Sequence, residues 1–501
     1  MEYDLQQLWS AVLGIEAETI DADHDFDQSG GDSLKIMELL SKIKQNLGVQ
    51  ITIKHFLEHQ VLHQLAELLL SMISGQNIPE IAFHRQLEDI KTLAEDTSIP
   101  VLAKTDDERP ELCNVFLTGS TGYFGLALLF ALLQQDNIRH IYVLVRADTE
   151  DEAKGRLIRS AQNAGWWQAG HLDRVVIWLG DLSKPQFGLT TAQWDRLAGI
   201  VHPTESIHGI IHSGADVKWY KNYAALRTVN VKSAWQLLEC VSSNPVLQKY
   251  IFISTAPHQD LDRVSVEESR WSGMLCDYNG YMQSKLIAES VLVQSVQMQQ
   301  DLQKRVTIVK PGFIIGSADS GLANMDDFLW RLVAGCVYLG SFPEDSKDSW
   351  VYISSYDTLA ASVVVALSRT EKQSDVRDRI GSGMTTARFW AAVKSALPFP
   401  LVARPTADWR ASLEEGKSCL SKTHPLYTVL DFISIKGDIL GCDGPTPHTS
   451  NEQSVERLER AVIRNVCFLL RMGYFSDDAT SHTSSRALRR TLLPREIVEH
   501  L

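Results

Sequence analysis

The sequence lacks the features that would place it in a membrane or in an oxidising compartment. No apolar run approaches the ~18 residues that a membrane-spanning helix needs, and the acidic start, MEYDLQQLW, has no signal-peptide character. The 7 cysteines are odd in number and no two of them form a C-x-x-C pair, so neither a zinc site nor a disulfide framework is predicted. These absences predict a cytoplasmic protein with no membrane span and no metal.

Basic charge is also scarce, above all near the N-terminus. The 501 residues carry a net charge of −14, and residues 1–70 hold 12 Asp and Glu against 4 Lys and Arg. Nucleic-acid binding needs clustered Lys and Arg, so nucleic acid is excluded as a partner. The acidic segment is either an ordinary solvated surface or a surface that docks on basic patches of other domains.

The acidic segment contains the stretch GGDSLKIMELL, in which a serine follows two glycines and an aspartate. Ser and Asp are good helix N-caps, so the plain interpretation is a helix start. Helical patterns also precede and follow it, which predicts a small all-α helical bundle over residues 1–75. This bundle resembles acyl and peptidyl carrier proteins. The resemblance implies that Ser33 carries 4′-phosphopantetheine and that a phosphopantetheinyl transferase is a partner.

The rest of the chain divides into three segments that differ in composition and in secondary-structure pattern. Residues 76–111 are polar and charged, which predicts a linker with room for one short helix. From residue 112 to 316, short apolar strands alternate with helical patterns, which predicts an α/β Rossmann-type doubly wound parallel sheet. Residues 317–501 lose this alternation. We expect them to form a smaller, mostly helical, substrate-binding part, partly interleaved with the sheet, and a tail.

A glycine-rich turn follows the first predicted strand. The stretch VFLTGSTGYFG places Gly119, Gly122 and Gly125 between a strand and a helix. Such glycines allow a tight turn and a close approach of the backbone to a pyrophosphate at the helix N-terminus. The second strand ends in Arg146, where an NAD site would carry Asp or Glu, and this favours the 2′-phosphate of NADP. Arg156 on the next helix either assists or is a solvated surface residue.

A tyrosine and a lysine four residues apart indicate redox chemistry at a carbonyl group. Tyr281 and Lys285 share one helical face. A tyrosine can protonate the oxygen of a carbonyl that receives hydride, if a nearby ammonium lowers its pKa. The strand IFIST ends in Ser254 and Thr255, and a hydroxyl there can polarise the same carbonyl. Glycine loop, hydroxyl, Tyr and Lys in this order resemble the extended short-chain dehydrogenase/reductase superfamily, whose register implies Thr255 as the catalytic hydroxyl.

Longer stretches narrow the resemblance. TGSTGYFG, IHSGADVKWY, NGYMQSKLIAES and PGFIIGSADSGLANMDDFLW are similar to the thioester reductase domains that end some nonribosomal peptide and polyketide synthases, and to the reductase end of fungal aminoadipate reductases. The resemblance implies NADPH as cofactor and Tyr281, Lys285 and Thr255 as catalytic residues. The cofactor contacts that it implies are Gly119, Ser120, Thr121, Gly122, Tyr123, Phe124, Arg146, Asp181, Leu182, His212, Ser213, Gly214, Ala215, Asn230, Tyr281, Lys285, Pro311, Gly312 and Phe313. For Asp181 a plain turn at a strand end is the alternative.

Two positions depart from the family pattern. Lys310 stands before Pro311 where the family usually has Arg, and no glycine follows soon after Thr255. Both departures concern the segments that would face the nicotinamide and the substrate.

The combined expectation is a carrier whose acyl thioester is reduced by the neighbouring domain and released as an aldehyde, or further reduced to an alcohol, in secondary-metabolite biosynthesis. No segment reads as an adenylation domain, and Met1 favours a complete chain. We therefore expect the acyl group to come from a separate synthase or ligase. The alternatives are an extended short-chain dehydrogenase or epimerase acting on a free small molecule, a cyclising relative, and a carrier fused to a non-catalytic scaffold.

Overall fold

The computed structural model describes residues 1–74, 84–95, 113–218, 220–255, 275, 279–297, 300–344, 349–368, 377–378, 383–416, 424–429, 440 and 452–475. Most of the predicted linker, the segment directly after Thr255 and the tail beyond residue 475 lie outside these ranges. Within the described part, no helix is both long enough and apolar enough to cross a bilayer.

The described helices and strands alternate along the chain in the order that the sequence predicts for the sheet region. The helices are α1 (Glu2–Leu13), α2 (Ser33–Leu47), α3 (Ile53–Glu58), α4 (Leu62–Ile73), α5 (His84–Glu95), α6 (Tyr123–Leu133), α7 (Glu150–Asn163), α8 (Thr191–Ala198), α9 (Tyr223–Arg227), α10 (Ser233–Ser243), α11 (Gly280–Gln297), α12 (Gln300–Arg305), α13 (Phe328–Leu339), α14 (Tyr356–Ser368), α15 (Thr386–Ala396), α16 (Thr406–Gly416) and α17 (Glu452–Arg471). The strands are β1 (Asn114–Thr118), β2 (His140–Val145), β3 (Val175–Leu179), β4 (Gly209–His212), β5 (Lys249–Ile253), β6 (Val306–Val309), β7 (Phe313–Ile315), β8 (Ser341–Glu344), β9 (Trp350–Ser355), β10 (Arg377–Asp378), β11 (Gly383–Thr385) and β12 (Val402–Pro405).

The N-terminal bundle packs around an aromatic centre. The ring of Phe26 lies edge-on to Trp9 and Phe56, with centroids 5.0 and 5.3 Å apart. Gly31 lies so close to Phe26 that a Cβ there would be 2.3 Å from the ring. Asp32 then caps α2, since its Oδ1 accepts a 2.9 Å hydrogen bond from the backbone N of Lys35. The predicted all-α bundle is confirmed, and its second helix begins at Ser33.

A parallel sheet forms the centre of the second region. Its strand order is β10-β6-β5-β4-β1-β2-β3, and each described pairing in it is parallel. The predicted doubly wound fold is confirmed. A short seventh strand, β10, lies at one edge of the sheet and is not predicted by the sequence pattern. The order reverses between β1 and β4, and ligands of such sheets bind at this switch point.

Helices cover both faces of the sheet. Side chains of α6, α7 and α14 pack in one apolar cluster on the first face, and those of α5, α10 and α11 pack in another on the second. The helix α14 belongs to residues 317–501, so part of this segment packs on the sheet.

Helix α5 lies within the segment predicted as a linker, yet it packs on α11. The carboxylate of Asp89 is buried and accepts hydrogen bonds from the Tyr223 hydroxyl at 2.6 Å and from the Arg227 guanidinium. Such an ion pair is costly to bury unless its hydrogen bonds are satisfied, as they are here. This helix is therefore fastened to the second face of the sheet.

The C-terminal part has its own core. Helices α13, α15, α16 and α17 pack around two small sheets, with strand orders β11-β9-β7 and β12-β8. The prediction of a mostly helical region missed these short strands. Because β7 follows β6 after only three residues, the small sheet lies directly beside the carboxyl end of the large one.

Candidate active site

The glycine loop after β1 has no room for a side chain at Gly119 or at Gly125. Gly119 has φ +76°, and a Cβ on it would lie 2.7 Å from the backbone N of Gly214. A Cβ on Gly125 would lie 1.9 Å from the Gly119 carbonyl oxygen. Between them, the Ser120 hydroxyl is buried and lacks a hydrogen-bond partner among the described residues. An unsatisfied buried hydroxyl at a helix N-terminus fits a phosphate oxygen, so these residues suit a dinucleotide.

The His212 side chain forms hydrogen bonds next to this loop. Its Nδ1 is 2.7 Å from the Thr118 hydroxyl and its Nε2 is 3.1 Å from the Ser233 hydroxyl. The Ser233 hydroxyl donates to the Val229 carbonyl and thus accepts from Nε2, while Thr118 donates to Nδ1 and accepts from the Gly214 N–H at 3.0 Å. Burial lowers the pKa of His212 to about 3, so the ring is neutral. His212 thereby holds the loops after β1 and β4 together.

A cavity of about 480 Å³ opens beside the carboxyl ends of β2 and β3, with Arg146, Arg156 and Asp181 in its wall. Arg156 donates to the Arg146 carbonyl oxygen at 2.9 Å. Burial alone would raise the pKa of Asp181, but hydrogen bonds from Ser183 and the charges of Arg146 and Lys184 hold it below its ordinary value. The cavity therefore offers two guanidinium groups to an anion and one carboxylate to hydroxyl or amino groups.

One turn of π-helix (Thr228–Lys232) brings Asn230 into the site. Its Nδ2 donates to the Asp216 carbonyl and to the Ser284 hydroxyl, both at 2.9 Å, and its Oδ1 accepts from the Asp216 N–H at 2.8 Å. The Ser284 hydroxyl in turn donates to the Tyr281 carbonyl at 2.7 Å. Asn230 thus ties the loop after β4 to the helix of the predicted catalytic tyrosine.

Tyr281 and Lys285 occupy successive turns of α11, at its end nearest the sheet. The ammonium of Lys285 donates to the Ile253 carbonyl at 2.7 Å and lies 4.5 Å from the centre of the Phe252 ring. Burial lowers the pKa of Lys285 to about 7 and raises the pKa of Tyr281 to about 12. The structure contradicts the expected lowering of the tyrosine pKa, because burial dominates. Tyr281 therefore keeps its proton at neutral pH.

The two hydroxyls at the end of β5 have different surroundings. Ser254 is buried and donates to Glu289 at 3.1 Å, whereas Thr255 is only partly buried. Successive side chains of an extended strand point to opposite sides. This arrangement leaves Thr255 as the hydroxyl available to a substrate and supports its predicted role.

Sequence reasoning missed a buried ion pair behind this site. The Lys310 ammonium lies 2.7 Å from Glu289, and their side chains are only 2% and 1% exposed. With Ser254, the pair joins the ends of β5 and β6 to α11. Lys310 was noted only as a departure from the family pattern. The spacing of Glu289, four residues after Lys285 and eight after Tyr281, was the one signal in the sequence.

The segment after Lys310 is pinned to β9. Gly312 has φ +70°, and a Cβ there would lie 2.3 Å from the Tyr352 carbonyl oxygen. The Pro311 carbonyl accepts from the Ser354 hydroxyl at 2.8 Å, and Phe313 begins β7, which pairs with β9. The turn predicted to cover the nicotinamide is thus rigidly attached to the C-terminal part.

The remaining predicted contacts fall into two groups. Thr121, Ser213 and Ala215 are partly buried residues of the loops at the switch point, and Leu182 is a partly buried residue of the loop after β3. Phe124 is buried in the core on the first face. The Tyr123 hydroxyl donates to the Leu322 carbonyl at 3.4 Å, and its ring stacks on Tyr356. Phe124 and Tyr123 therefore have only their backbone to offer a pyrophosphate.

Two known families match the chain at the regions described above. Residues 4–69 match the family "Phosphopantetheine attachment site", and residues 117–363 match the NAD-binding family "Male sterility protein". The reductase domain of PhqB from Penicillium fellutanum is 26% identical with a TM-score of 0.62, over 77% of this chain and 98% of that domain. The chain is a carrier domain joined to a thioester reductase domain. One match is thus to a family named for binding a nicotinamide dinucleotide and the other to a family named for phosphopantetheine attachment.

Other relatives contain the same pair of domains within larger proteins or as a di-domain. The nonribosomal peptide synthetase malG of Malbranchea aurantiaca is 29% identical over 97% of this chain, which spans 21% of malG. A thiolation-reductase di-domain from an archaeal nonribosomal peptide synthetase has a TM-score of 0.62 over 95% of this chain and 98% of its own, at 19% identity. At this low sequence identity, the similarity to the di-domain shows a shared fold. The carrier-reductase chain thus spans about a fifth of malG.

Proposed function

We propose that this carrier-reductase releases an acyl group from its own phosphopantetheine arm by NADPH-dependent reduction, giving an aldehyde. The arm is attached to Ser33, and a separate synthase or ligase of secondary-metabolite biosynthesis loads it. The observation that carries the proposal is that a carrier domain and the site of Tyr281 and Lys285 stand on one chain. A tether makes delivery intramolecular and raises the effective concentration of substrate.

Each residue of the site has a separate role in the reduction of the thioester. The cofactor, proposed to be NADPH, would supply when bound the hydride that reduces the thioester carbonyl carbon. Tyr281, which keeps its proton at neutral pH, donates it to the carbonyl oxygen, and Thr255 hydrogen-bonds the same oxygen. Lys285 holds the nicotinamide ribose. The C–S bond of the resulting thiohemiacetal then breaks as its hydroxyl proton passes to the sulfur, which gives the aldehyde and the arm's free thiol, and a proton from solvent restores Tyr281.

The direct test follows oxidation of NADPH by loaded protein. A phosphopantetheinyl transferase attaches octanoyl, benzoyl and phenylalanyl arms from their coenzyme A thioesters, and the product is trapped with hydroxylamine and identified by mass spectrometry. We expect one NADPH consumed per aldehyde, and two where an alcohol forms. Binding of NADPH without reduction of any of the three arms would contradict the proposal.

Arg146 should set the preference for NADPH. Its guanidinium lies in the wall of the 480 Å³ cavity, where a 2′-phosphate would make a charge-assisted contact. Arg146→Ala should weaken NADPH binding by about 1.5–3 kcal/mol, roughly 10- to 150-fold, with little effect on NADH. Fluorescence titration measures both affinities. Arg139→Ala, at the other end of β2, is the matched control, and equal affinity of the unaltered protein for both cofactors would refute the assignment.

A further inference from the structure

A lysine of the reductase domain bridges two carboxylates, one of them on the carrier. The Lys221 ammonium lies 3.0 Å from Asp27, in the acidic loop before Ser33, and 3.4 Å from Asp216, in the loop after β4. The three side chains are 17%, 16% and 25% exposed, so solvent screens them only in part. Burial alone would lower the pKa of Lys221, but Asp27 and Asp216 hold it above its ordinary value.

Neighbouring contacts fix the carrier on both halves of the reductase. Gln60, which is buried, donates from Nε2 to the Tyr220 carbonyl at 2.7 Å. The arm-bearing helix α2 contacts the turn Pro425–Val429 of the C-terminal part. The carrier core and the C-terminal core also form one connected apolar cluster, against which Tyr220 packs. The carrier therefore contacts both the loop after β4 and the C-terminal part.

The backbone of Lys221 rests on the start of the catalytic helix. A Cβ on Gly280 would lie 2.2 Å from the Lys221 carbonyl oxygen and 2.6 Å from the carbonyl carbon of Asn222. Gly280 directly precedes Tyr281. Any displacement of Lys221 toward α11 must therefore move the first turn of α11.

Asp216, the second residue whose carboxylate Lys221 contacts, is connected to Tyr281 through a series of hydrogen bonds. Asp216 exchanges two backbone hydrogen bonds with the Asn230 side chain, which also donates to the Ser284 hydroxyl. Ser284 donates to the Tyr281 carbonyl. A continuous set of polar contacts thus runs from the carrier loop, through Lys221, to Tyr281.

We propose that Lys221 is the docking residue for the acidic loop of this chain's own carrier, and that it couples the docked carrier to the position of Tyr281. This inference rests on the proposed function, since docking matters only for a substrate borne on Ser33. It assigns Asp27 as the carrier's recognition residue and Lys221 as a positioning residue, which does not itself touch the reacting atoms.

The test is a charge reversal with a suppressor. Asp27→Lys places two ammonium groups opposite each other, and Lys221→Met removes one of them. Glu18→Lys, an exposed change of equal charge on the carrier, is the matched control. Single-turnover reduction of the Ser33-borne octanoyl arm is compared with reduction of the free octanoyl N-acetylcysteamine thioester, counting only carrier that mass spectrometry shows to be loaded. Small-angle X-ray scattering of each full-length variant reports docking without any turnover.

We expect Asp27→Lys to slow reduction of the arm roughly tenfold or more, to slow reduction of the free thioester by a smaller factor because Tyr281 is displaced, and to increase the radius of gyration. Lys221→Met alone should slow the arm-borne reaction, yet in the Asp27→Lys background it should restore part of the rate and compactness. Equal effects of Asp27→Lys and Glu18→Lys, or further slowing in the double variant, would overturn the proposal. If no variant reduces any thioester, the proposed function fails, and the scattering data still decide whether Lys221 docks the carrier.

Discussion

Ser33→Ala is expected to abolish turnover of carrier-borne substrate completely. The serine opens α2 behind the Asp32 cap, where an added phosphate would meet the positive end of the helix dipole. Alanine at this position keeps the helix but removes the oxygen that the phosphopantetheine arm needs. Intact-protein mass spectrometry after treatment with a phosphopantetheinyl transferase should show no mass gain, and oxidation of NADPH by the loaded-protein assay should be absent.

A serine on the same helix provides the control. Ser41 lies two turns further along α2, is exposed, and accepts only a 3.3 Å hydrogen bond from Gln45. Ser41→Ala should gain the arm normally and reduce its acyl group at the ordinary rate. Ser33→Ala should still reduce a free acyl thioester, because the reductase site is untouched. A mass gain in Ser33→Ala would mean that the arm is attached elsewhere.

Features that depend on neighbouring residues could be predicted from the sequence. The turn at Gly119 has positive φ, and the spacing of the glycines in the sequence predicts such a tight turn. The start of α2 follows from Asp32, and the alternation of strands and helices gives the doubly wound sheet. Thr255 could be preferred to Ser254 only by resemblance. The structure adds the physical reason, since Ser254 is engaged by Glu289.

Features that depend on distant residues could not be predicted. Asp89 and Arg227 are 138 residues apart, and no local pattern shows that they meet. The same holds for Lys221 and Asp27, which lie in different domains. The pKa of Tyr281 also depends on the whole fold, because burial raises it, and the sequence shows only its spacing from Lys285. In each case the ion pair or the pKa depends on how helices and strands pack together, and a single sequence shows little of that packing.

Tyr281→Phe should slow the reduction step by roughly 10²- to 10⁴-fold, the range usual for one general acid. Phenylalanine keeps the ring and its packing. Within the described part of the chain the Tyr281 hydroxyl makes no hydrogen bond, so its removal should cost the fold little. NADPH affinity should therefore survive, because Lys285 and the glycine loop are unchanged. Single-turnover reduction of the octanoyl arm, with NADPH affinity measured by fluorescence titration, separates the chemical step from binding.

Tyr250→Phe is the matched control, and we expect it to lower the stability of the fold without changing the reduction rate. Tyr250 is buried on β5, and its hydroxyl donates to the Ala234 carbonyl at 3.1 Å. Removing it leaves a buried carbonyl without this donor, so we expect the free energy of unfolding to fall by about 1–3 kcal/mol while the reduction rate stays the same. Tyr281→Phe should show the reverse: near-normal unfolding and slow reduction. If Tyr281→Phe reduces the arm at nearly the ordinary rate, the proton comes from another group, and Thr255, which is partly buried at the end of β5, is the next hydroxyl to replace.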